Sequence, residues 1–237
     1  MQTVFDLTTK TGDIVTRLPE TSTILKQYKI DFCCGGNRPI GEVIVEKNLN
    51  GADVLDQLNN ALLKSLEKPI ITLEEMTNGE LIDHIISTHH DYLNELLPEL
   101  SRFTTKVLRV HGSHSPELAK IHKLFHTLKT ELEQHTIDEE MNVFPLIKAY
   151  DENPTSELMN KLSVKIEELE SEHEGAGDLL RQLREVTSDY KAPEWACMTY
   201  QLTFQKLEGL ESDLFEHIHL ENNILFPRVI KQLKEAN

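Results

Sequence analysis

The stretch ELEQHTIDEEMNVFP, Glu131–Pro145, decides how this chain is read. It carries His135 and Glu139 four residues apart, then Phe144 and Pro145. The same pattern returns in EHIHLENNILFPRVI, Glu216–Ile230, as His217, Glu221, Phe226 and Pro227, every landmark displaced by 82 residues. On a helix, positions i and i+4 lie on one face, one turn apart. Each copy therefore aims one imidazole and one carboxylate in the same direction. Two copies predict a duplicated half-bundle with metal ligands pointing inward.

The repeat extends upstream. His90 lies 45 residues before His135, and His173 lies 44 before His217. Each half thus supplies a lone histidine on its first helix and a His-x-x-x-Glu pair on its second. Along helices rising 1.5 Å per residue, the four histidines fall at about 18 to 27 Å from one end of the bundle, close enough to share one level. Four imidazoles and two carboxylates, His90, His135, Glu139, His173, His217 and Glu221, suit two divalent first-row metals with each glutamate bridging both. Mixed nitrogen and oxygen ligation without thiolate points to iron, with manganese or zinc as alternatives. Any one of these histidines alone reads better as a hydrogen-bonded structural group. Six titratable groups buried in register are costly without a cation. His84, His89 and His219 flank the donors and are expected to support them or to lie on the surface. His122 and His126 form an i, i+4 pair without a duplicated partner and are expected on the surface or in the core, and His111 and His114 fall in a loop.

Four long helical patterns hold these residues, near 78–110, 116–150, 155–188 and 193–235, separated by HGSHSP, DENPT and SDYKAP. Short connections between long amphipathic helices predict antiparallel neighbours, hence an all-α, up-down-up-down four-helix bundle. Thr77 and Glu80 have the spacing of a capping box at its start. Pro145 and Pro227 lie inside their patterns and are expected to kink the helix about one turn beyond each glutamate, because the ring removes an i to i−4 bond.

The 237 residues, 39% hydrophobic with only ten Gly and nine Pro, argue against a loop-rich β protein. No run of 18 apolar residues exists, so no transmembrane helix is expected. The start, MQTVFDLTTKTGD, has neither a basic nor an apolar leader region, and no secretory signal is expected. A net charge of −16 disfavours nucleic acid and anionic membrane as direct partners. Three cysteines, two of them adjacent, make no disulfide framework and fit a reducing cytoplasm.

Three segments are expected: a small helical domain over 1–67, a linker over 68–77 and the bundle over 78–237. In the first, Gly12, Pro19, Gly35-Gly36, Pro39 and Gly51 separate short helices near 12–18, 20–29, 39–48 and 52–67. Cys33 and Cys34, in DFCCGGN, stand just before an expected helix start, which would lower a thiol's pKa and activate it. The alternative is that they are small buried hydrophobes, and both readings stay open. Cys197 is expected in the core.

DFCCGG, followed by LIDHIISTHHD, HTIDEEMNVFP, ESEHEGAGDLL and HIHLENNILFP, resembles the repair-of-iron-centres (ScdA-type) di-iron proteins of bacteria over nearly the whole chain. The resemblance implies a haemerythrin-like bundle, two non-haem iron ions with carboxylate and oxo-type bridges, and a cytoplasmic setting. It makes His90, His135, His173 and His217 terminal ligands, pairing His90 with His217 and His135 with His173. Glu139 and Glu221 become the bridges, and the family's cysteine pair falls on Cys33 and Cys34, where a thiol role is expected. The implied function is repair of iron–sulfur clusters damaged by oxidative or nitrosative stress, by donation of iron to the damaged proteins. Nitric oxide reduction at a diferrous centre and haemerythrin-like O2 binding are the alternatives, with nitric oxide, O2 or peroxide as small ligands. A homodimer joined through the N-terminal module is also expected.

Overall fold

The computed structural model describes residues 4–65 and 75–235. Its helices are α1 (Thr11–Arg17), α2 (Thr21–Gln27), α3 (Ile40–Glu46), α4 (Gly51–Ser65), α5 (Asn78–Ile85), α6 (Asp91–His111), α7 (Glu117–Asp138), α8 (Phe144–Glu152), α9 (Ser156–Val186), α10 (Met198–Leu220) and α11 (Phe226–Glu235). There is no strand among the described residues, only an isolated bridge between Lys10 and Pro39. Residues 68–74 of the expected linker lie outside the described residues. The helices fall into two compact units, Met1–Leu81 with Phe215–Asn237, and Ile82–Leu214.

The second unit is the all-α bundle. Rod one runs through α5 and α6, rod two through α7 and α8, rod three is α9 and rod four α10. Apolar residues recur every three or four positions: Leu118, Ile121, Phe125, Leu128 and Leu132 on α7, and Leu162, Ile166, Leu169, Ala176, Leu180 and Leu183 on α9. Burying each leucine contributes about 1.5–3 kcal/mol, so these stripes hold the rods together. α7 packs on α6 and on α9. Lys206 Nζ meets Glu99 Oε2 at 2.8 Å, tying α10 to α6, and Arg184 grips Glu211 through Nε at 3.0 Å, tying α9 to α10. The four rods therefore close on one another. His135 continues the α7 stripe and His173 sits within the α9 stripe, which is why both are buried.

The ends expected at 29, 48 and 188 fall on the turns that close α2, α3 and α9, two residues past the last helical residue. α2, α3 and α9 all stop on residues with left-handed backbone, Lys29, Asn48 and Ser188, at φ 56°, 52° and 52°. Each is followed by an N–H reaching back to the last turn: Ile30 to Leu25, Leu49 to Ile44 and Asp189 to Arg184. These are Schellman caps without glycine. Rod four begins at Met198 rather than near 193, because Ala196 N–H turns back onto the Pro193 carbonyl at 2.9 Å. Cys197 consequently lies outside the helix and is exposed, correcting its expected place in the core. Gly12, expected as a breaker, sits inside the first turn of α1.

The expected proline kinks take the form of widened turns. Residues Glu139–Val143 and Glu221–Leu225 are π-helical, with Phe144 N–H on the Glu139 carbonyl and Phe226 N–H on that of Glu221. A proline ring crowds the carbonyl four residues back, and an i to i−5 bond just before it opens the helix at that point. A third such turn, Ile86–His90, ends with Asp91 N–H on the Ile86 carbonyl.

In the first unit, α1 to α4 surround Phe5, Ile14, Leu18, Leu25, Ile30, Phe32, Ile40, Val54 and Leu58, with Phe215 packed against them. On α4 the buried apolar positions are Val54, Leu58 and Leu62, one turn apart along one face that Ser65 continues.

Candidate metal centre

All three π-turns carry candidate donors: His90 closes the first, Glu139 opens the second and Glu221 opens the third. An inserted residue rotates the following face of a helix, and such turns cluster at functional sites.

Within the bundle unit, Glu139 Oε2 lies 3.4 Å from His90 Nε2 and 3.3 Å from His135 Nε2. His173 Nε2 is 3.1 Å from His135 Nε2. The four residues come from three rods, and none is more than 5% exposed. The His90 ring stacks on Phe144 at 5.8 Å, which gives the phenylalanine of the Phe-Pro landmark its work. Two acidic side chains hold the outer nitrogens: Glu140 Oε1 is 2.8 Å from His90 Nδ1, and Glu172 Oε2 is 2.7 Å from His135 Nδ1. The bond with His135 holds the Glu172 carboxyl below its usual range. His89 Nδ1 pairs with Asp213 Oδ1 at 2.9 Å in the same manner.

These contacts test whether a metal fits. A carboxylate only accepts hydrogen bonds, so the outer nitrogens of His90 and His135 carry the protons, an assignment made from the network. Their Nε2 lone pairs then face the Glu139 carboxylate, which is itself an acceptor. Acceptors converging in a buried space repel one another unless a cation lies among them. Carboxylate-held histidines aimed at one point are the arrangement metal sites use. The donor set fits a divalent metal.

In the unit that holds Phe215–Asn237, His217 and Glu221 are both at most 1% exposed, with Nε2 and Oε1 3.0 Å apart. His219 points elsewhere: Nδ1 bonds the Phe32 carbonyl at 3.1 Å and Nε2 meets Thr16 Oγ1 at 3.3 Å. Burial pushes its pKa down to about 4, so its ring is neutral and donates through Nδ1. Asn223 Nδ2 donates to the carbonyls of Phe32 and Cys33, at 3.3 and 3.0 Å. The cysteine loop is thus seated on the turn that follows His217.

Cys33 is buried and Cys34 half-buried, with their sulfurs 3.9 Å apart and no disulfide. Cys33 Sγ lies 3.2 Å from Asp31 Oδ1, and its backbone N–H donates to the same oxygen at 2.9 Å. The Cys34 thiol, burial and the Asp31 charge raise the Cys33 thiol well above its ordinary value. Of the two open readings, this favours the buried small residue for Cys33, since α3 begins only at Ile40 and lends its N-terminus to neither thiol.

Of the remaining histidines, His122 and His126 stack on α7 with ring centroids 4.1 Å apart, both pKa values lowered by burial. His111 Nε2 lies 3.3 Å from Cys197 Sγ. Sequence reasoning missed Glu140, Glu172, Asp213 and Asn223. Glu140 and Glu172 are chain neighbours of Glu139 and His173. Successive helical residues point about 100° apart, so each reaches a neighbouring rod while its neighbour points inward.

Residues 81–229 match the family model described as "Hemerythrin HHE cation binding domain", and residues 7–62 match a "Domain of Unknown function (DUF542)". The chain is 34% identical over 216 residues to the iron-sulfur cluster repair protein ScdA of Staphylococcus haemolyticus (strain JCSC1435), covering 91% of this chain and 95% of that protein. It is 36% identical over 220 residues to the iron-sulfur cluster repair protein YtfE of Enterobacter sp. (strain 638), covering 92% and 95%. The YtfE protein of Escherichia coli O81 (strain ED1a) matches with the same identity and coverage. The chain belongs to this ScdA- and YtfE-type family of iron-sulfur cluster repair proteins, built on a haemerythrin HHE cation-binding domain.

Proposed function

We propose that the protein repairs damaged iron–sulfur clusters by holding iron at a two-metal centre and donating it to the damaged protein. The observation that carries this reading is the single Glu139 carboxylate set between His90 and His135, imidazoles of two different rods. One carboxylate serving two imidazoles is the geometry of a bridge between two cations about 3.5–4 Å apart. In this reading His90, His135, Glu139, His173, His217 and Glu221 would hold the two metals, with Glu139 and Glu221 as the bridging carboxylates. The repeat spacing supports it, as does the family model, whose residues 81–229 include all six donors. The names of the relatives support the repair role.

A bound iron pair supplies redox-active, exchangeable Lewis-acid sites. The chain's own residues do the rest. Glu140 and Glu172 fix the tautomer and the tilt of His90 and His135. Buried leucines and Phe144 keep bulk water from the donors. Glu139 and Glu221 would hold the metals through carboxylates, which can bind one or two cations and so would suit the release of a single iron. The reading places the protein in the cytoplasm, acting under oxidative and nitrosative stress. Exposed Val4, Leu7, Val45 and Leu63 on the N-terminal module support its use as a homodimer contact.

Loading the protein with isotopically labelled iron and offering it a cluster protein stripped of iron tests the reading. Transfer of label with return of the cluster's absorption is expected, and Glu139→Gln should abolish it. Label that stays on the wild-type protein would overturn the donor role.

A further inference from the structure

His219 and Asn223 stand two residues on either side of Glu221, and both bond the cysteine loop. The Phe32 carbonyl accepts from His219 Nδ1 at 3.1 Å and from Asn223 Nδ2 at 3.3 Å, while the Cys33 carbonyl accepts from Asn223 at 3.0 Å. Residues four apart share a helix face, so the two side chains grip the loop together. The Phe32 ring is fully buried, edge-on to Phe215 at 6.0 Å and to His219 at 5.7 Å.

The amide has no room to slide. A Cβ on Gly12 would lie 2.5 Å from Asn223 Oδ1, and one on Gly36 would lie closer still. Gly12 N–H donates to the Gly36 carbonyl at 2.9 Å, so the two walls of this socket are tied to each other. Two glycines are thus required for one asparagine to reach two carbonyls. Asn223 itself lies within the π-turn Glu221–Leu225 that begins with the candidate ligand.

We propose that Asn223 is a positioning residue that couples metal occupancy at Glu221 to the exposure of the Cys33 and Cys34 thiols. The proposal rests on Glu221 being a metal ligand. A carboxylate drawn onto a cation moves the turn that carries it, and Asn223, two residues on, moves with that turn. The closed socket passes the displacement to the Phe32 and Cys33 carbonyls instead of absorbing it. By linkage the effect is reciprocal: modification of the thiols changes how tightly Glu221 holds its metal.

The test uses full-length protein carrying Cys197→Ser, so that only the loop thiols react. Mn2+ serves as probe, because carboxylate suits it and soft thiolate does not. Mn2+ affinity is read by electron paramagnetic resonance titration. Alkylation of Cys34 by iodoacetamide is timed by peptide mass spectrometry with and without Mn2+. The wild-type loop should change its rate by about fivefold or more on Mn2+ binding, the lower end of ordinary coupling between sites. Asn223→Asp keeps the shape and removes the donor, and Gly12→Ala expels the amide. Both should still bind Mn2+ and show one rate in either state. Circular dichroism and thermal unfolding confirm that each variant is folded, and either variant alone suffices. Mn2+ bound without a rate change in the wild-type loop overturns the coupling and leaves the metal centre standing. A rate change that survives Asn223→Asp and Gly12→Ala overturns the role of Asn223. Mn2+ binding that ignores Glu221→Gln removes Glu221 as a ligand, and the coupling with it.

Discussion

Nε2 of His173 lies 3.1 Å from Nε2 of His135, with both rings buried where α9 packs on α7. The His135 ring is locked by Glu172 on its other nitrogen, so it turns its lone pair toward this contact. In metal-free protein a neutral His173 donates its Nε2–H to that lone pair, and a metal ligated by both rings would take the place of this proton. Metal binding to the folded state alone stabilises by about 2.7 kcal/mol at a hundredfold excess over Kd. For a chain of this size that is a rise in Tm of about 5–10 °C. Calorimetry of iron-loaded protein against chelator-treated protein measures it, and equal Tm values would contradict a site formed by these residues.

Glu172 and Glu140 touch ring nitrogens on the side away from Glu139. Neither is needed to bind a cation directly. Substitution of such an outer carboxylate lowers metal affinity by about 10–100-fold. Glu172→Gln and Glu140→Gln should each show that loss in a competition titration against a chelator, with helicity unchanged. Glu139→Gln removes a charge shared by two imidazoles and should lose more than either.

The three thiols differ in access. Cys197 is exposed beside the His111 ring, Cys34 is half-buried, and Cys33 is 3% exposed. Its raised pKa keeps Cys33 protonated near neutral pH, and the thiolate is the nucleophile. Alkylation followed by peptide mapping should therefore label Cys197 first and Cys33 last. Cys33 should react readily only when the loop opens or the protein unfolds.

The sequence repeat made the rods legible because a four-residue spacing has one structural meaning on a helix. The Phe-Pro pair marked the right place but not its form. A proline announces a missing bond, whereas whether the helix kinks or widens depends on packing around Phe144 and Phe226. The helix ends near Lys29, Asn48 and Ser188 were legible from the breaks that follow them, but their left-handed caps were not, since no glycine announces them. The partners Glu140, Glu172, Asp213 and Asn223 reach across to other segments, so no spacing along the chain points to them. The cysteine pair was visible as residues, but the sequence left its chemistry open between a reactive thiol and a small buried hydrophobe. Its helix begins six residues too late to acidify a thiol, and Asp31 acts in the opposite sense.

At the start of α5, the capping spacing is realised as a reciprocal pair. Thr77 N–H donates to Glu80 Oε2 at 2.8 Å, the Thr77 hydroxyl donates to the same oxygen at 2.9 Å, and Glu80 N–H returns to Thr77 Oγ1 at 3.2 Å. Loss of the hydroxyl cap in Thr77→Ala should cost about 1 kcal/mol in urea unfolding. The Glu80 carboxyl is held below its ordinary value of 4.5 by the Thr77 backbone N–H and then by the hydroxyl. A carboxyl whose folded pKa is depressed adds stability above its unfolded pKa and loses it as pH falls through the folded value. Glu80→Gln keeps a cap acceptor and removes the titration. Wild type should therefore exceed Glu80→Gln in unfolding midpoint at about pH 6, and the gap should narrow as pH falls below the ordinary carboxyl value of 4.5. A gap that is constant across that range would mean that the charge on Glu80 contributes nothing to the cap.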